Sequence, residues 1–189
     1  MEEVSKNVFL VEGGSLCSNV YILLNEGEAL LIDSGDGSNC DEVFEVLDEF
    51  KLKMVLLTHG HWDHIGGMRY FEVDGLVSKK DLEMLDELNS VFPSKTKIKN
   101  LKELREEVVR FGRFELQIIP TPGHTPGSVC VFERRNKILF SGDTVFADGY
   151  VGRTDLPGGD GEQLATSLKK VKGIDYRLLC PGHERVERL

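Results

Sequence analysis

Histidine is scarce in this chain, and most of it is concentrated in one short stretch. Of the five histidines, His59, His61 and His64 fall within the segment 58–67, which reads THGHWDHIGG and also contains Asp63. Imidazole nitrogens and a carboxylate at this spacing form a nitrogen and oxygen ligand set for a divalent transition metal. The segment therefore predicts a metal site.

The other two histidines and a further aspartate occupy turns that follow apolar segments. His124 lies in the segment 120–128 (PTPGHTPGS), His183 in 180–184 (CPGHE) and Asp143 in 141–144 (SGDT). Taken alone, a Pro-Gly-His segment is more often a turn with a hydrogen-bonded surface histidine, and Gly-Asp-Thr is more often a turn or a helix cap. Because ligands in layered α/β proteins gather at the carboxyl ends of strands, we expect these side chains to converge on the histidine cluster.

The elements that must position these residues begin with short apolar runs rich in branched side chains, which are typical of strands. Seven strands are predicted: Val8–Val11, Val20–Leu24, Ala29–Ile32, Met54–Leu57, Val129–Phe132, Ile138–Phe140 and Arg177–Cys180. Neighbouring runs resemble hairpins, and helical patterns occur in both halves of the chain. This arrangement indicates an α/β (α+β) protein whose packed sheets are covered by helices.

Three helices are predicted from apolar residues that recur at helical spacing. They are a helix through Val43 and Phe50 with a capping box at Ser38 and Asp41, a helix Lys79–Val91 with a capping box at Ser78 and Asp81, and a helix Gly161–Val171. The lysine-rich segment Ser94–Lys102 is interpreted as a solvent-exposed connector.

Length and composition restrict the class of protein. The 189 residues, 40% hydrophobic and 29% charged, indicate one globular domain over residues 1–189. A net charge of −9 disfavours nucleic acid as a partner. We also expect no membrane span and no secretory signal, and therefore a cytoplasmic protein. The four cysteines form no Cys-x-x-Cys pair and are expected to be small buried side chains.

From Asp33, in the segment LIDSG, to His183, the chain resembles the metallo-β-lactamase-fold hydrolase superfamily, and within it the short, single-domain glyoxalase II (hydroxyacylglutathione hydrolase) type. The resemblance implies a four-layer αββα sandwich with metals at the shared sheet edge. It also implies that the C-terminal helical substrate domain of full-length relatives is missing, which puts specificity for glutathione in doubt.

The same resemblance assigns the ligands. It implies one metal at His59, His61 and His124, a second at Asp63, His64 and His183, and Asp143 as the bridge between them. Asp33 resembles an aspartate that orients a ligand by hydrogen bonding, although a simple turn residue explains it equally well. Two divalent metal ions are expected, zinc first, while iron or manganese also suit histidine and aspartate ligands.

The implied chemistry is metal-dependent hydrolysis. A hydroxide that bridges two metals would attack an acyl carbonyl without a separate general base, which makes Asp63 and Asp143 the catalytic candidates. Asp63 stands where some β-lactamases of this fold have a cysteine ligand, which argues against β-lactam hydrolysis.

The segment 140–159 is similar to short glyoxalase II-like thioesterases, so we expect a small-molecule acyl thioester as substrate. Arg153 stands where full-length relatives have a basic residue that holds the carboxylate of the thiol, and Tyr150 is a further candidate for substrate binding. A structural ion pair of Arg153 with Asp155 or Asp160 is the alternative.

Two other functions remain open at this point. A persulfide dioxygenase of the same fold would bind a single iron through His59, His124 and Asp143, two histidines and a carboxylate with open positions for oxygen. A non-catalytic, metal-binding module is the second alternative. It is disfavoured because a structural zinc needs only four ligands in a closed site.

Overall fold

The computed structural model describes residues 1–14, 16–92 and 98–189. Its strands are β1 (Glu2–Ser5), β2 (Val8–Val11), β3 (Val20–Asn25), β4 (Glu28–Ile32), β5 (Lys51–Leu56), β6 (Gly75–Val77), β7 (Leu101–Glu103), β8 (Val108–Phe111), β9 (Phe114–Pro120), β10 (Val129–Glu133), β11 (Ile138–Gly142), β12 (Leu178–Pro181) and β13 (Glu187–Arg188). Its helices are α1 (Cys40–Leu47), α2 (Trp62–Ile65), α3 (Lys79–Glu83), α4 (Leu85–Leu88) and α5 (Gly161–Val171), with 3-10 turns at Gly66–Tyr70 and Ala147–Gly149.

The strands form two sheets. The first contains β1 to β7 in chain order, and the second has the order β13-β12-β11-β10-β9-β8. Strands β4 to β7 pair in parallel, as do β11 and β12, while the other pairs are antiparallel. Parallel pairing brings the carboxyl ends of neighbouring strands to the same edge, and the predicted ligands after β5, β11 and β12 follow such ends, whereas His124 follows the antiparallel strand β9.

The side chains of the sheets alternate between two packing interfaces. Leu30 and Ile32 of β4 point into the core between the sheets, whereas Leu31 packs on the outer side with Val43 of α1. On the outer side of the second sheet, a smaller cluster includes Val171 of α5. Helices therefore cover both outer faces of the paired sheets, and the expected four-layer αββα architecture is confirmed.

All seven predicted strands are present, with ends displaced by at most three residues, and α5 has the predicted bounds. The sequence analysis missed β1, β6, β7, β8, β9 and β13. Leu101 and Lys102 belong to β7, so the connector interpretation of Ser94–Lys102 is wrong there, and residues 94–97 lie outside the described residues. Parallel pairing of Lys102 with Leu76 extends the first sheet through this segment.

The helix starts differ from the predicted capping boxes. Helix α1 begins after Asn39, which is the N-cap residue and makes no side-chain cap bond, so the box at Ser38 and Asp41 is wrong. The backbone N–H of Ser38 instead donates to Asp36 Oδ1 at 2.8 Å. The predicted helix Lys79–Val91 is two short helices that meet at Met84. The side chain of Ser78 caps α3 by accepting from the backbone N–H of Asp81, but the carboxylate of Asp81 does not accept from the backbone N–H of Ser78 as a capping box requires.

Two further observations concern the cysteines and the possibility of a membrane-spanning helix. The four cysteines are buried thiols, as expected, and burial raises the pKa of Cys180, which lies three residues before His183. Among the described residues, no helix combines the length and the apolar character that crossing a membrane requires.

Candidate metal centre

Three histidines form the first group of the centre, which we call the three-histidine group. His59 and His61 follow β5, and His124 follows β9. His61 Nδ1 lies 3.1 Å from His59 Nε2 and 2.9 Å from His124 Nε2. All three side chains are buried. Their ring nitrogens thus converge from two distant segments of the chain on one point.

The ionisation of this group favours a cation. Burial and the neighbouring histidines lower the pKa of His59 well below its ordinary value. Burial and His124 lower the pKa of His61 to about 3. Neutral imidazoles present lone pairs to one another, and a divalent metal at their centre would turn that repulsion into coordination.

Asp63, His64 and His183 form the second group, which we call the mixed group. Asp63 Oδ2 lies 3.1 Å from His183 Nε2 and 3.8 Å from His64 Nε2. One ligand atom from each residue lies within 4.8 Å of the others. Burial raises the pKa of Asp63, but the neighbouring histidines outweigh it and the net shift is downward, so the carboxylate stays ionised.

Asp143 lies between the two groups. Its Oδ1 is 3.3 Å from His64 Nε2, while its Oδ2 is 3.5 Å from His124 Nε2 and 3.6 Å from His183 Nε2. Burial raises its pKa, yet the surrounding histidines, His64 foremost, hold the net pKa well below the usual range. An ionised carboxylate therefore faces both groups at once.

The donor atoms fit a divalent metal. Asp63 Oδ1, His64 Nε2 and Asp143 Oδ1 are buried without a hydrogen-bond partner. A buried polar atom without a partner costs about 1–3 kcal/mol, and a bound metal would remove that cost. Histidine nitrogens and carboxylate oxygens are the donors that divalent transition metals take.

Asp33 fixes the orientation of the mixed group. Its Oδ1 accepts from the backbone N–H of Thr58 at 2.7 Å, and its Oδ2 lies 2.8 Å from both Thr58 Oγ1 and His64 Nδ1. When His64 donates through Nδ1, its Nε2 is left facing Asp143. Burial lowers the pKa of His64, but Asp33, Asp143 and Asp63 outweigh it and raise the net pKa well above the ordinary value.

His124 is oriented by a backbone group. Its Nδ1 lies 2.8 Å from the carbonyl oxygen of Arg153, which leaves Nε2 to the three-histidine group. Gly152 precedes this carbonyl and packs so closely on the backbone of Asp143 that a Cβ would lie 1.8 Å from its carbonyl oxygen. Only glycine allows the segment to approach this near.

The two predicted substrate-binding residues lie at the surface. The guanidinium of Arg153 makes a bidentate ion pair with Asp155, at 2.7 and 2.6 Å, and both side chains are exposed. Asp160, the other suggested partner, instead caps α5 by accepting from the backbone N–H groups of Glu162 and Gln163. Tyr150 is 67% exposed. A role for either residue in substrate binding stays a prediction.

The sequence analysis missed the polar residues that hold the loops. Asn19 Nδ2 donates to the carbonyls of Pro181 and Glu184 at 3.1 and 2.8 Å, and the Tyr21 hydroxyl donates to Pro181 at 2.7 Å. These bonds fasten both sides of His183 to β3 and the loop before it. Asp81 likewise belongs to this set. The only local signal would have been a polar residue next to an apolar run.

Several curated proteins are similar in sequence. A probable metallo-hydrolase of Methanocaldococcus jannaschii is 32% identical over 95% of this chain and 93% of its own length. A hydroxyacylglutathione hydrolase, GloC, of Haemophilus influenzae is 32% identical over 84% and 79%. An atrochrysone carboxyl ACP thioesterase of Aspergillus fumigatus is 29% identical over 89% of this chain but only 51% of its own length.

Solved structures agree with these relatives. BLEG-1, a B3 metallo-β-lactamase, superposes with a TM-score of 0.80 at 28% identity, covering 96% of this chain and 93% of the other. TTHA1623, solved in a di-iron-bound form, superposes with a TM-score of 0.77 at 28% identity, covering 96% and 94%. A family model described as the metallo-beta-lactamase superfamily matches residues 13–183. The chain, with its ligand-bearing loops at the edge of an αββα sandwich, therefore belongs to the metallo-beta-lactamase superfamily.

Proposed function

We propose that this protein is a metal-dependent hydrolase that cleaves acyl thioesters, as glyoxalase II does. The observation that carries the proposal is the position of Asp143, whose carboxylate lies 3.3 and 3.6 Å from His64 and His183 of the mixed group and 3.5 Å from His124 of the three-histidine group. A structural zinc site closes with four ligands around one ion. Seven donors in two groups, joined by one carboxylate, instead suit a pair of ions that serve a reaction.

The residues divide the work as follows. The three-histidine group would hold one divalent ion and the mixed group the other, with zinc the first choice. When bound, such ions polarise a carbonyl and make hydroxide available near neutral pH. Asp63 keeps Oδ2 beside His183 and leaves Oδ1 buried without a partner, so Oδ1 is placed to accept a hydrogen bond from the attacking water and orient it. Asp33 keeps His64 in the tautomer that faces the site.

The thioester is favoured over other bonds by the relatives. The names of two of them specify a thioester substrate, one on glutathione and one on an acyl carrier protein. The carriers differ, whereas the bond to be broken is the same. We therefore propose an acyl thioester as the substrate class, and the panel described next decides the carrier.

The decisive experiment joins elemental analysis to a substrate panel. Purified protein is assayed for metals and then for hydrolysis of a hydroxyacylglutathione, an acyl carrier protein thioester and a cephalosporin. We expect two metals per chain and thioester hydrolysis that a chelator abolishes. The cephalosporin is included because of the likeness to a B3 metallo-β-lactamase. Cleavage of the cephalosporin alone, or of none of the three, would contradict the proposal.

The same preparation tests the dioxygenase alternative. Its three ligands are present in the cluster, since His124 Nε2 lies 3.5 Å from Asp143 Oδ2 and the rings of His59 and His124 are 4.7 Å apart. However, His61 contributes a third nitrogen to the same point. One iron per chain, with oxygen uptake that depends on a persulfide, would establish the dioxygenase and exclude the hydrolase.

Arg153→Ala is expected to raise KM severalfold for thioesters whose thiol carries a carboxylate, with kcat little changed. The guanidinium is exposed, so its loss removes attraction to the substrate and not chemistry. Asp155→Asn is the matched control: it releases Arg153 from its ion pair, and we expect KM to fall or stay constant. Steady-state kinetics of both variants decide the role, and an unchanged KM in Arg153→Ala would leave Arg153 only its pairing with Asp155.

A further inference from the structure

Another buried aspartate, Asp81, makes hydrogen bonds to the loops of the metal centre but to none of its ligand side chains. Asp81, in α3, is fully buried. Its Oδ2 accepts from the backbone N–H of Gly60 at 2.8 Å and from the hydroxyl of Thr125 at 2.7 Å, and its Oδ1 accepts from the backbone N–H of Gly127 at 2.7 Å. Three donors thus meet one carboxylate.

These three donors lie on the two loops that carry the three-histidine group. Gly60 stands between His59 and His61, and Thr125 directly follows His124. The loops are 63 residues apart at His61 and His124. Since a separate strand provides each loop, their relative position is not set by local structure. Asp81 is a direct link between them.

Packing around Asp81 leaves little freedom. A Cβ on Gly127 would lie 1.8 Å from Ser78 Oγ and 2.5 Å from Asp81 Oδ1. The hydroxyl of Thr125 also lies 2.7 Å from Ser128 Oγ, which extends the network along the second loop. Buried networks with every member satisfied are rigid, so the loop positions are determined closely.

The mixed group has different supports. Asp33 bonds to Thr58 and His64, and Asn19 bonds to the backbone on either side of His183. Asp81 reaches neither His64 nor the loop of His183 in its hydrogen bonds. The supports overlap at His59, whose Nδ1 lies 3.2 Å from the Thr58 hydroxyl that Asp33 binds, whereas the bonds of Asp81 reach the backbone between His59 and His61 and the loop of His124.

We propose that Asp81 is a positioning residue that sets the metal affinity of the three-histidine group, largely independently of the mixed group. The carboxylate holds the two loops at the separation at which His59, His61 and His124 present their nitrogens to one cation. The proposal rests on the two metal positions of the proposed function but does not depend on the thioester as substrate.

The variant that tests it is Asp81→Asn, which keeps the volume and changes one acceptor into a donor. If the amide NH2 faces Gly127, it meets the backbone N–H of Gly127, which is also a donor. If it faces Gly60, it meets the backbone N–H of Gly60 in the same way. Either orientation leaves one backbone N–H, that of Gly127 or that of Gly60, without its acceptor. Loss of such an outer partner of metal ligands typically weakens metal binding about 10–100-fold.

The effect of Asp81→Asn on each group is measured separately by combining it with a second substitution that removes one ligand of the other group. In His183→Ala the three-histidine group is intact, and in His61→Ala the mixed group is intact. Cobalt(II) is titrated against a competing chelator, and the ligand-field absorption of the ion reports its coordination. We expect Asp81→Asn to raise the dissociation constant about 10–100-fold in the first background. In the second background we expect less than about a twofold change, because no bond to that group is lost.

Glu133→Gln provides the matched control. Glu133 is also fully buried and its carboxylate accepts from the backbone N–H groups of Arg135 and Asn136, at the turn between β10 and β11, which lies at the opposite end of both strands from the loops of His124 and Asp143. We expect it to lower the melting temperature and leave cobalt affinity unchanged. If Asp81→Asn behaves like this control, or weakens both backgrounds equally, Asp81 is a structural residue and the proposal fails.

Thr125→Val keeps the test decisive if Asp81→Asn does not fold. It removes one of the three donors, and Thr125→Ser restores the hydroxyl. We expect weaker cobalt binding in Thr125→Val and recovery in Thr125→Ser, again only in the background that retains the three-histidine group. Equal affinities in the two variants would overturn the proposal. Failure of the thioester assay with normal metal binding would leave the role of Asp81 intact.

Discussion

Replacement of Asp143 by alanine is expected to abolish hydrolysis and to weaken the binding of both metals. The carboxylate faces His64 on one side and His124 and His183 on the other, so both groups lose a ligand at once. We expect a fall in kcat/KM of at least about 10²–10³, the loss typical of removing one electrostatic group from an active site. Kinetics and metal content of the purified variant provide the measurement.

Two further variants make this result specific. Asp175→Ala removes an exposed carboxylate whose partner is Lys137, and we expect metal content and activity like those of the parent protein. Asp143→Asn keeps the shape but not the charge, so it should retain less metal than the parent and more than the alanine variant. Retention of both metals by Asp143→Ala would show that Asp143 does not bridge the groups.

The sequence could predict much of the fold because the continuously apolar strands are marked locally. Val8–Val11 and Ile138–Phe140 are continuous apolar runs that are buried within the sheets, and this pattern is visible without tertiary information. Gly75–Val77 and Leu101–Glu103 have three residues each. Strands this short exist because parallel neighbours supply their hydrogen bonds, so no local pattern could reveal them.

The candidate site divides in the same way. Its metal-type side chains stand in recognisable turns, whereas the residues that hold those turns act over long distances in the sequence. Asn19 bonds to carbonyl groups more than 160 residues away. His124 is oriented by the backbone carbonyl of Arg153, a group that every residue type has, so the residue type carries no signal of this contact. Asp81 was interpreted as a helix cap because its spacing from Ser78 fits one. In the structure its carboxylate instead accepts hydrogen bonds from two distant loops.

Removal of the metals is expected to lower the melting temperature by about 10 °C at neutral pH. A ligand present at about 100–1,000 times its dissociation constant stabilises the folded state by about 3–4 kcal/mol, and each kcal/mol corresponds to about 2–4 °C for a chain of this size. Dialysis against a strong chelator, followed by thermal unfolding, measures the shift. Two equivalents of zinc should restore the original melting temperature, and one equivalent should restore only part of it.

The metal-free protein is further expected to lose stability as the pH falls from about 6.5 to 5. The pKa values of His59 and His61 lie below the ordinary 6.5 in the folded state, to about 3 for His61, so in this range the unfolded chain binds protons that the folded chain does not. Each such histidine removes about 0.7 kcal/mol of stability per pH unit at pH 6.5, and this slope rises towards about 1.4 kcal/mol per pH unit near pH 5. His64 has the opposite shift, but its contribution is already fully present below 6.5 and is lost only as the pH rises through its raised folded pKa. Denaturant unfolding at pH 6.5 and 5 measures the change. Equal stability of the metal-free protein at both pH values would show that these imidazoles are not held neutral. The electrostatic argument for cation binding by the three-histidine group would then fail.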